Sequence, residues 1–371
     1  MKISLFTPWN IRCGIADYSF YLKSGLEKCG LEIEVVPLEN DKSLRNFIRI
    51  GKKMNNADIA HIQHEYSFFE NNIMPGGLIS FFLGALKYFF FVKQIKIPVV
   101  ITLHELFLPK KAITFRAIKF VHRVIFSISA KNIVHRNAHR EELISIGIDA
   151  DKIAVIPHPI GEAKTENLDT LFFNKYSWAQ NKKILAIFGF IAERKGYEIA
   201  LEAIKDIDNC VLLIAGDRHP YERSNYLYKL KKRIKTLCLE RKVNIMGYVP
   251  EQDIPNLMNA VDIVLAPYTH MSASGSLRVA ISYHKPIIAS NISPMREICN
   301  DGLSMLLFRA GDSHDLKANI LRLLDDINLQ KSLSESSICY ATEHSYDNIV
   351  KKYYLSLYKD IADEFLKPRI R

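Results

Sequence analysis

The sequence has no CxxC pair, no run of some twenty apolar residues, no internal repeat and no low-complexity tract, and each absence removes a class of protein. Its six cysteines, Cys13, Cys29, Cys210, Cys238, Cys299 and Cys339, are scattered without metal-ligand spacing. That argues against a disulfide scaffold or a zinc module and for free thiols in a reducing cytoplasm. The longest apolar stretch, Leu78 to Val92, carries Lys87 and falls short of the roughly twenty residues that a membrane-spanning helix needs. The opening Met1-Lys2-Ile3-Ser4-Leu5-Phe6-Thr7-Pro8 reads as a buried strand rather than a secretory signal, so a cytoplasmic protein is expected. No Gly-x-Gly-x-x-Gly with a downstream acid is present, which disfavours a dinucleotide enzyme. No aromatic-basic motif is recognisable either, and no nucleic-acid partner is expected.

What is present is enough apolar sequence for two cores. The chain has 371 residues, 48% hydrophobic and 24% charged, a length that suits two globular domains. A net charge of +10 favours anionic partners, among them a phosphorylated substrate or an acidic membrane surface. Short β-branched and apolar runs predict strands at Ile3–Phe6, Ile33–Pro37, Asp58–Gln63, Val99–Leu103, Asn132–His135 and Ile153–Ile156. A second series follows at Ile184–Phe188, Val211–Ala215, Val243–Met246, Ile263–Ala266, Ile287–Ala289 and Met305–Phe308. Near-continuous apolar strands with helix-length segments between them predict an α/β fold: two doubly wound parallel sheets, each covered on both faces. The polar stretch after Pro157-His158-Pro159 places the linker near residue 165. The expected division is 1–165, 166–350, and a C-terminal helix at 351–371 packing back on the first domain. Ligands of such sheets bind beyond the carboxyl ends of the strands, so the chemistry is sought in the loops that follow them, in a cleft between two such domains.

Four of those loops carry signals. After the first strand, Gly14 stands near a helix start, where a residue without Cβ lets an anion reach backbone amides; a tight turn is the plainer reading. His61, Gln63, His64 and Glu65 end one strand and His104-Glu105 the next, which sets titratable groups at one rim of a sheet. Such a histidine pair is more often hydrogen-bonded than metal-bound, and no metal is expected. In the second series Phe188-Gly189 leads into Arg194-Lys195-Gly196 before a helix, where two cations and free amides suit a diphosphate; a solvated basic pair is the alternative. Ser272-Ala273-Ser274-Gly275-Ser276-Leu277 offers hydroxyls and amides at another helix start, beyond what capping alone requires. Asp206-Ile207-Asp208 lies at the amino end of a strand and reads as a helix-exit turn, not a metal motif.

Taken in order, Phe188-Gly189, Arg194-Lys195-Gly196, Ala215-Gly216-Asp217, Gly247-Tyr248-Val249-Pro250, Asp262–Pro267, Lys285–Ser290 and Pro294-Met295-Arg296-Glu297 resemble a family 4 (group 1) glycosyltransferase of the GT-B fold. The first half resembles it less tightly, through Gly14-Ile15-Ala16-Asp17-Tyr18, Gln63-His64-Glu65-Tyr66, Thr102-Leu103-His104 and Val155-Ile156-Pro157. The resemblance implies a nucleotide diphosphate sugar as donor, such as a UDP- or GDP-sugar, a glycan or lipid-linked acceptor, retention at the anomeric carbon and no cofactor. It implies that Arg194 and Lys195 grip the diphosphate, with Gly189 beside them and Gly14 approaching from the other domain. Tyr248 would meet the base, Ser274, Gly275, Ser276 and Leu277 would hold phosphate, and His104 would touch the transferred sugar. The family's usual pair of glutamates falls at Met271 and Val279, and its first arginine after the glycine is Phe190 here. Those departures admit two rival readings, a sugar-nucleotide epimerase and a non-catalytic sugar-nucleotide-binding protein. The basic residues Lys110, Lys111, Arg116, Lys119 and Arg123, interleaved with Phe115, Phe120 and Phe126, together with Leu78–Val92, fit either a buried amphipathic helix or peripheral docking on the inner face of an anionic membrane.

Overall fold

The computed structural model describes residues 1–11, 13–69, 78–106, 112–164, 181–218, 224–271 and 274–366. Arg12, Phe107, Lys110, Lys111, Ser272 and the linker position at 165 lie outside the described residues.

The chain divides into two units, residues 1–159 with 344–371, and residues 160–343. Each is built on one six-stranded, wholly parallel sheet. In the first unit the strands are β1 (Lys2–Thr7), β2 (Glu32–Pro37), β3 (Ile59–His64), β4 (Val99–Leu103), β5 (Lys131–Val134) and β6 (Ile153–Val155), in the order β2-β1-β3-β4-β5-β6. In the second they are β7 (Lys183–Phe188), β8 (Cys210–Ala215), β9 (Val243–Ile245), β10 (Ile263–Ala266), β11 (Ile287–Ser290) and β12 (Leu306–Phe308), in the order β12-β11-β10-β7-β8-β9. All twelve coincide with the strands read from the sequence, to within one or two residues at their ends. The interior strands β3, β4, β8 and β10 are buried along their whole length. That is the reason their sequence is a continuous apolar run rather than an alternation: helices cover both faces of the sheet.

The second unit has one core cluster on each face of its sheet, around Leu213, Ala266 and Leu277 on one side and Ile214, Leu201 and Leu230 on the other. The first unit likewise has one cluster around Phe6, Phe47 and Phe91 and another around Leu5, Leu22 and Val100. This second cluster corrects the expected boundary at 350. Ile349 and Val350 are buried in it together with Tyr354, Tyr358 and Ile361, so the crossing back to the first unit falls at residue 344. Apolar burial, not the start of the last helix, decides where the chain changes unit.

Polar bonds fix the returning segment. The hydroxyls of Tyr18 and Tyr354 meet at 2.6 Å, and the Tyr358 hydroxyl meets His61 Nδ1 at 2.6 Å. His61 Nε2 in turn meets Thr102 Oγ1 at 2.8 Å. Burial pushes the His61 imidazole down to about 3, so it is a neutral core histidine with both ring nitrogens engaged. His64 is caged by Tyr66, Tyr88 and Phe126 and is also pushed down to about 3 by burial.

Replacing Tyr358 by Ala removes a fully buried ring and leaves His61 Nδ1 without its partner. A loss of about 3–5 kcal/mol is expected. In urea melts of the intact chain the transition of the first unit should move to lower denaturant while that of the second stays; an unmoved first transition would show that the C-terminal segment is dispensable.

Candidate functional site

In the second sheet the chain reverses its winding between β7 and β10, its two central strands, and in such sheets ligands gather beyond the carboxyl ends at that reversal. Both loops there are built around Lys195. After β7 the backbone turns at Gly189 (φ 94°); a Cβ there would stand 2.8 Å from Lys195 Nζ and 3.0 Å from Ser276 Cβ. A short turn, Glu193–Lys195, then ends in Gly196 (φ 68°) before the helix Tyr197–Ile204. The turn is tied to the loop after β10 by the Thr269 amide, which donates to the Arg194 carbonyl at 2.9 Å.

Lys195 is only 4% exposed, so it does not form half of a solvated basic pair. Its ammonium donates to the Phe188 carbonyl at 2.5 Å and to Ser276 Oγ at 3.3 Å and lies over the Tyr268 ring. Burial, with the neighbouring Arg194 charge adding to it, pushes the ammonium down to about 7. Arg194 is exposed beside it. From the other side, Ser274 caps the helix Gly275–Ser282 by accepting from the Leu277 amide at 3.2 Å. The hydroxyls of Ser274, Ser276 and Tyr268 form a triangle with edges of 3.0, 3.1 and 3.3 Å. Lys195, Gly189, Ser274, Gly275, Ser276 and Leu277 are therefore brought together: a cation, three hydroxyls and a helix start converge where charge-assisted bonds to an anion are strongest.

Tyr248 follows β9, next to Gly247 (φ 78°), and is 51% exposed. The positions where the sequence resemblance led one to expect glutamates are apolar for a structural reason: Met271 is buried in the core and Val279 packs against it. Asp206 lies after the helix Tyr197–Ile204 and pairs with Lys317 at 3.3 Å, in keeping with a helix-exit turn.

In the first unit Gly14 opens the helix Gly14–Lys28, and a Cβ there would meet nothing within 4 Å. One turn on, the Tyr18 ring lies edge-on 4.9 Å from the ring of His104, so these two sequence-derived candidates share one corner of the sheet. His104 follows β4, and its Nε2 donates to Gln63 Oε1 at 2.7 Å. Two further histidines were missed. His135 follows β5 and His158 follows β6, and one ring nitrogen of each lies within 4.8 Å of one of His104. The readable signal was a histidine just past the end of three successive strands; it went unseen because sheet order, unlike spacing, is not written locally.

Comparison with known proteins gives the family of the chain. Residues 169–338 match the family described as Glycosyl transferases group 1, and residues 76–163 match Glycosyltransferase Family 4. An uncharacterised glycosyltransferase of Methanocaldococcus jannaschii is 26% identical over 58% of this chain and 61% of its own length, so the chain spans about three fifths of that relative. An uncharacterised protein of the cps region of Klebsiella pneumoniae is 21% identical over 83% of this chain and 80% of its own. Among solved structures, the Anabaena protein HepE in complex with UDP superimposes with a TM-score of 0.71 at 18% identity, covering 97% of this chain and all of that one. The fold is that of the GT-B glycosyltransferases, and the chain belongs to the group 1, family 4 glycosyltransferases.

Proposed function

We propose that the protein transfers a sugar from a nucleoside diphosphate sugar to a glycan or lipid-linked acceptor, with retention and without a metal at the diphosphate. The observation that carries this reading is the buried Lys195 ammonium, held between the Phe188 carbonyl, the Ser276 hydroxyl and the start of the helix Gly275–Ser282. Glycosyl transfer builds negative charge on the departing diphosphate, and preorganised donors aimed at that charge supply the largest single share of the acceleration. A cation kept near neutrality by burial gains more from a diphosphate than a solvated one, because the ligand replaces the solvation that burial removed. Exposed Arg194 adds a second charge, Tyr248 offers an aromatic face to the base, and the relative solved with UDP supports a uridine nucleotide. The relative from a cps region supports a role in polysaccharide assembly.

Peripheral membrane docking rests on a separate feature. The helix Leu78–Lys93 exposes Ile79, Leu83, Leu86 and Phe90 at helical spacing, and Phe120 is exposed near Arg116 and Arg123 in sequence on the helix Ala112–Ser127. An apolar stripe with basic neighbours matches an interfacial helix. None of the described helices is long and apolar enough to cross a membrane. Leu83→Asp with Leu86→Asp should abolish co-sedimentation with anionic vesicles and leave the melting temperature within a few degrees; retained sedimentation would rule the stripe out.

Lys195→Ala should cost about 2–4 kcal/mol of transition-state stabilisation at saturating donor, and Arg194→Ala should lower turnover in the same direction. Burial pushes the Lys195 ammonium down to about 7, and bound diphosphate favours its charged form. Binding therefore takes up a proton above that pH, and calorimetric affinity for UDP should fall as pH rises through about 7. Lys195→Arg, charged throughout, should flatten the slope. A slope unchanged in Lys195→Arg would show that another group titrates.

His104→Ala should lower the single-turnover rate of transfer while leaving UDP affinity nearly unchanged, because the diphosphate cradle lies wholly in the second unit. If rate and affinity fall together along with the melting temperature, His104 is structural.

A further inference from the structure

β4, β5 and β6 are adjacent in the first sheet and run parallel, so the residues just past their carboxyl ends meet at one edge of the unit. Those residues include His104, His135 and His158, each half-buried, with one ring nitrogen of each within 4.8 Å of the other two. The ring centroids of His135 and His158 are 4.6 Å apart, and that of His104 is 5.6 Å from His135.

Each ring is oriented by an oxygen acceptor. His104 Nε2 donates to Gln63 Oε1 at 2.7 Å, His135 Nδ1 to the Ile156 carbonyl at 2.9 Å, and His158 Nδ1 to the Pro159 carbonyl at 3.1 Å. Those bonds place the proton on the bonded nitrogen and the lone pair on the opposite one: Nδ1 of His104 and Nε2 of His135 and His158. A metal-binding histidine has this same outer arrangement, one nitrogen donating to a carbonyl oxygen and the other ligating. The Tyr18 ring packs edge-on against His104 and His158 at 4.9 and 5.0 Å. Its hydroxyl is turned away to Tyr354, so the ring supports the imidazoles without competing as a ligand.

We propose that His104, His135 and His158 form a three-histidine site for a divalent ion of the zinc class, with its fourth position open to water or a ligand. Neutral imidazoles with no carboxylate or thiolate select zinc, cobalt, nickel or copper over magnesium and calcium, which take oxygen ligands. Zinc–nitrogen bonds of about 2.0–2.1 Å bring tetrahedral ligands to roughly 3.3 Å from one another. The ion ties together the loops after three neighbouring strands, so its binding also stabilises the first unit. This inference goes beyond the glycosyl-transfer reading and does not depend on it, because the test reads metal occupancy.

The experiment is equilibrium dialysis and calorimetry of the full chain with zinc chloride, with magnesium chloride as the comparison and cobalt chloride as a spectroscopic probe. Wild-type protein should take one zinc per chain and melt at higher temperature with it. His135→Gln and His158→Gln should each weaken zinc binding by about a hundredfold or more, and cobalt should give a tetrahedral spectrum without thiolate charge transfer. The proposal is overturned by absence of binding to folded wild-type protein, by affinity unchanged in both variants, or by a thiolate band that assigns the metal to cysteines. Should a variant fail to fold, the wild-type cobalt spectrum decides between imidazole and cysteine ligation.

Discussion

A nearly buried ammonium group is the constraint on which the second unit's site depends. Lys195 reaches under the loop after β7 and binds the Phe188 carbonyl and Ser276, and this single side chain dictates much of what surrounds it. Gly189 is a glycine because its φ is positive and a Cβ would press on the Lys195 nitrogen. Gly196 is one because it also has positive φ and a Cβ would run into the Pro267 carbonyl, which lets the turn lie against the loop after β10. Ser274 and Ser276 are hydroxyls because their partners are an amide, a phenol and that ammonium. A buried cation costs several kcal/mol unless it is bonded, and one carbonyl with one hydroxyl compensates it only in part. The pull of burial on its proton is the measure of what remains unpaid, and it leaves the site matched to an anion.

Sheet-level structure was legible because it is written in short contiguous runs. Strands buried on both faces must be apolar at every position, and β8 (Cys210–Ala215) could hardly be read otherwise. Loop candidates were legible where a glycine and a charge fall within a few residues, as at Gly189 and Lys195. The burial of Lys195 was not, because it is set by Tyr268 and Ser276, which lie far along the sequence in the loop after β10 and the helix that follows it. The histidine cluster was missed for the same reason. Only the neighbour relation of β4, β5 and β6 turns three separate residues into one group, and strand order is a property of the whole sheet.

The two apolar positions Met271 and Val279 illustrate how a core limits what a site can contain. Met271 belongs to the buried cluster, where a carboxylate would have to be desolvated, and Val279, on the helix Gly275–Ser282, packs against that cluster half-buried. The polar contacts of this loop consequently come from short hydroxyls at its rim, which need little room and serve as both donors and acceptors.

The return of residues 344–366 to the first unit has a temporal meaning. The core around Leu5, Leu22 and Val100 is completed by Val350, Tyr354 and Tyr358, which leave the ribosome only after the whole of residues 160–343. The second unit is continuous and has all its parts as soon as it emerges, whereas the first emerges with one core incomplete, covered by the helix Gly14–Lys28 alone until the last segment follows. During synthesis an incomplete core leaves apolar surface open to misassociation, and the first unit to be begun is the last whose parts are all translated.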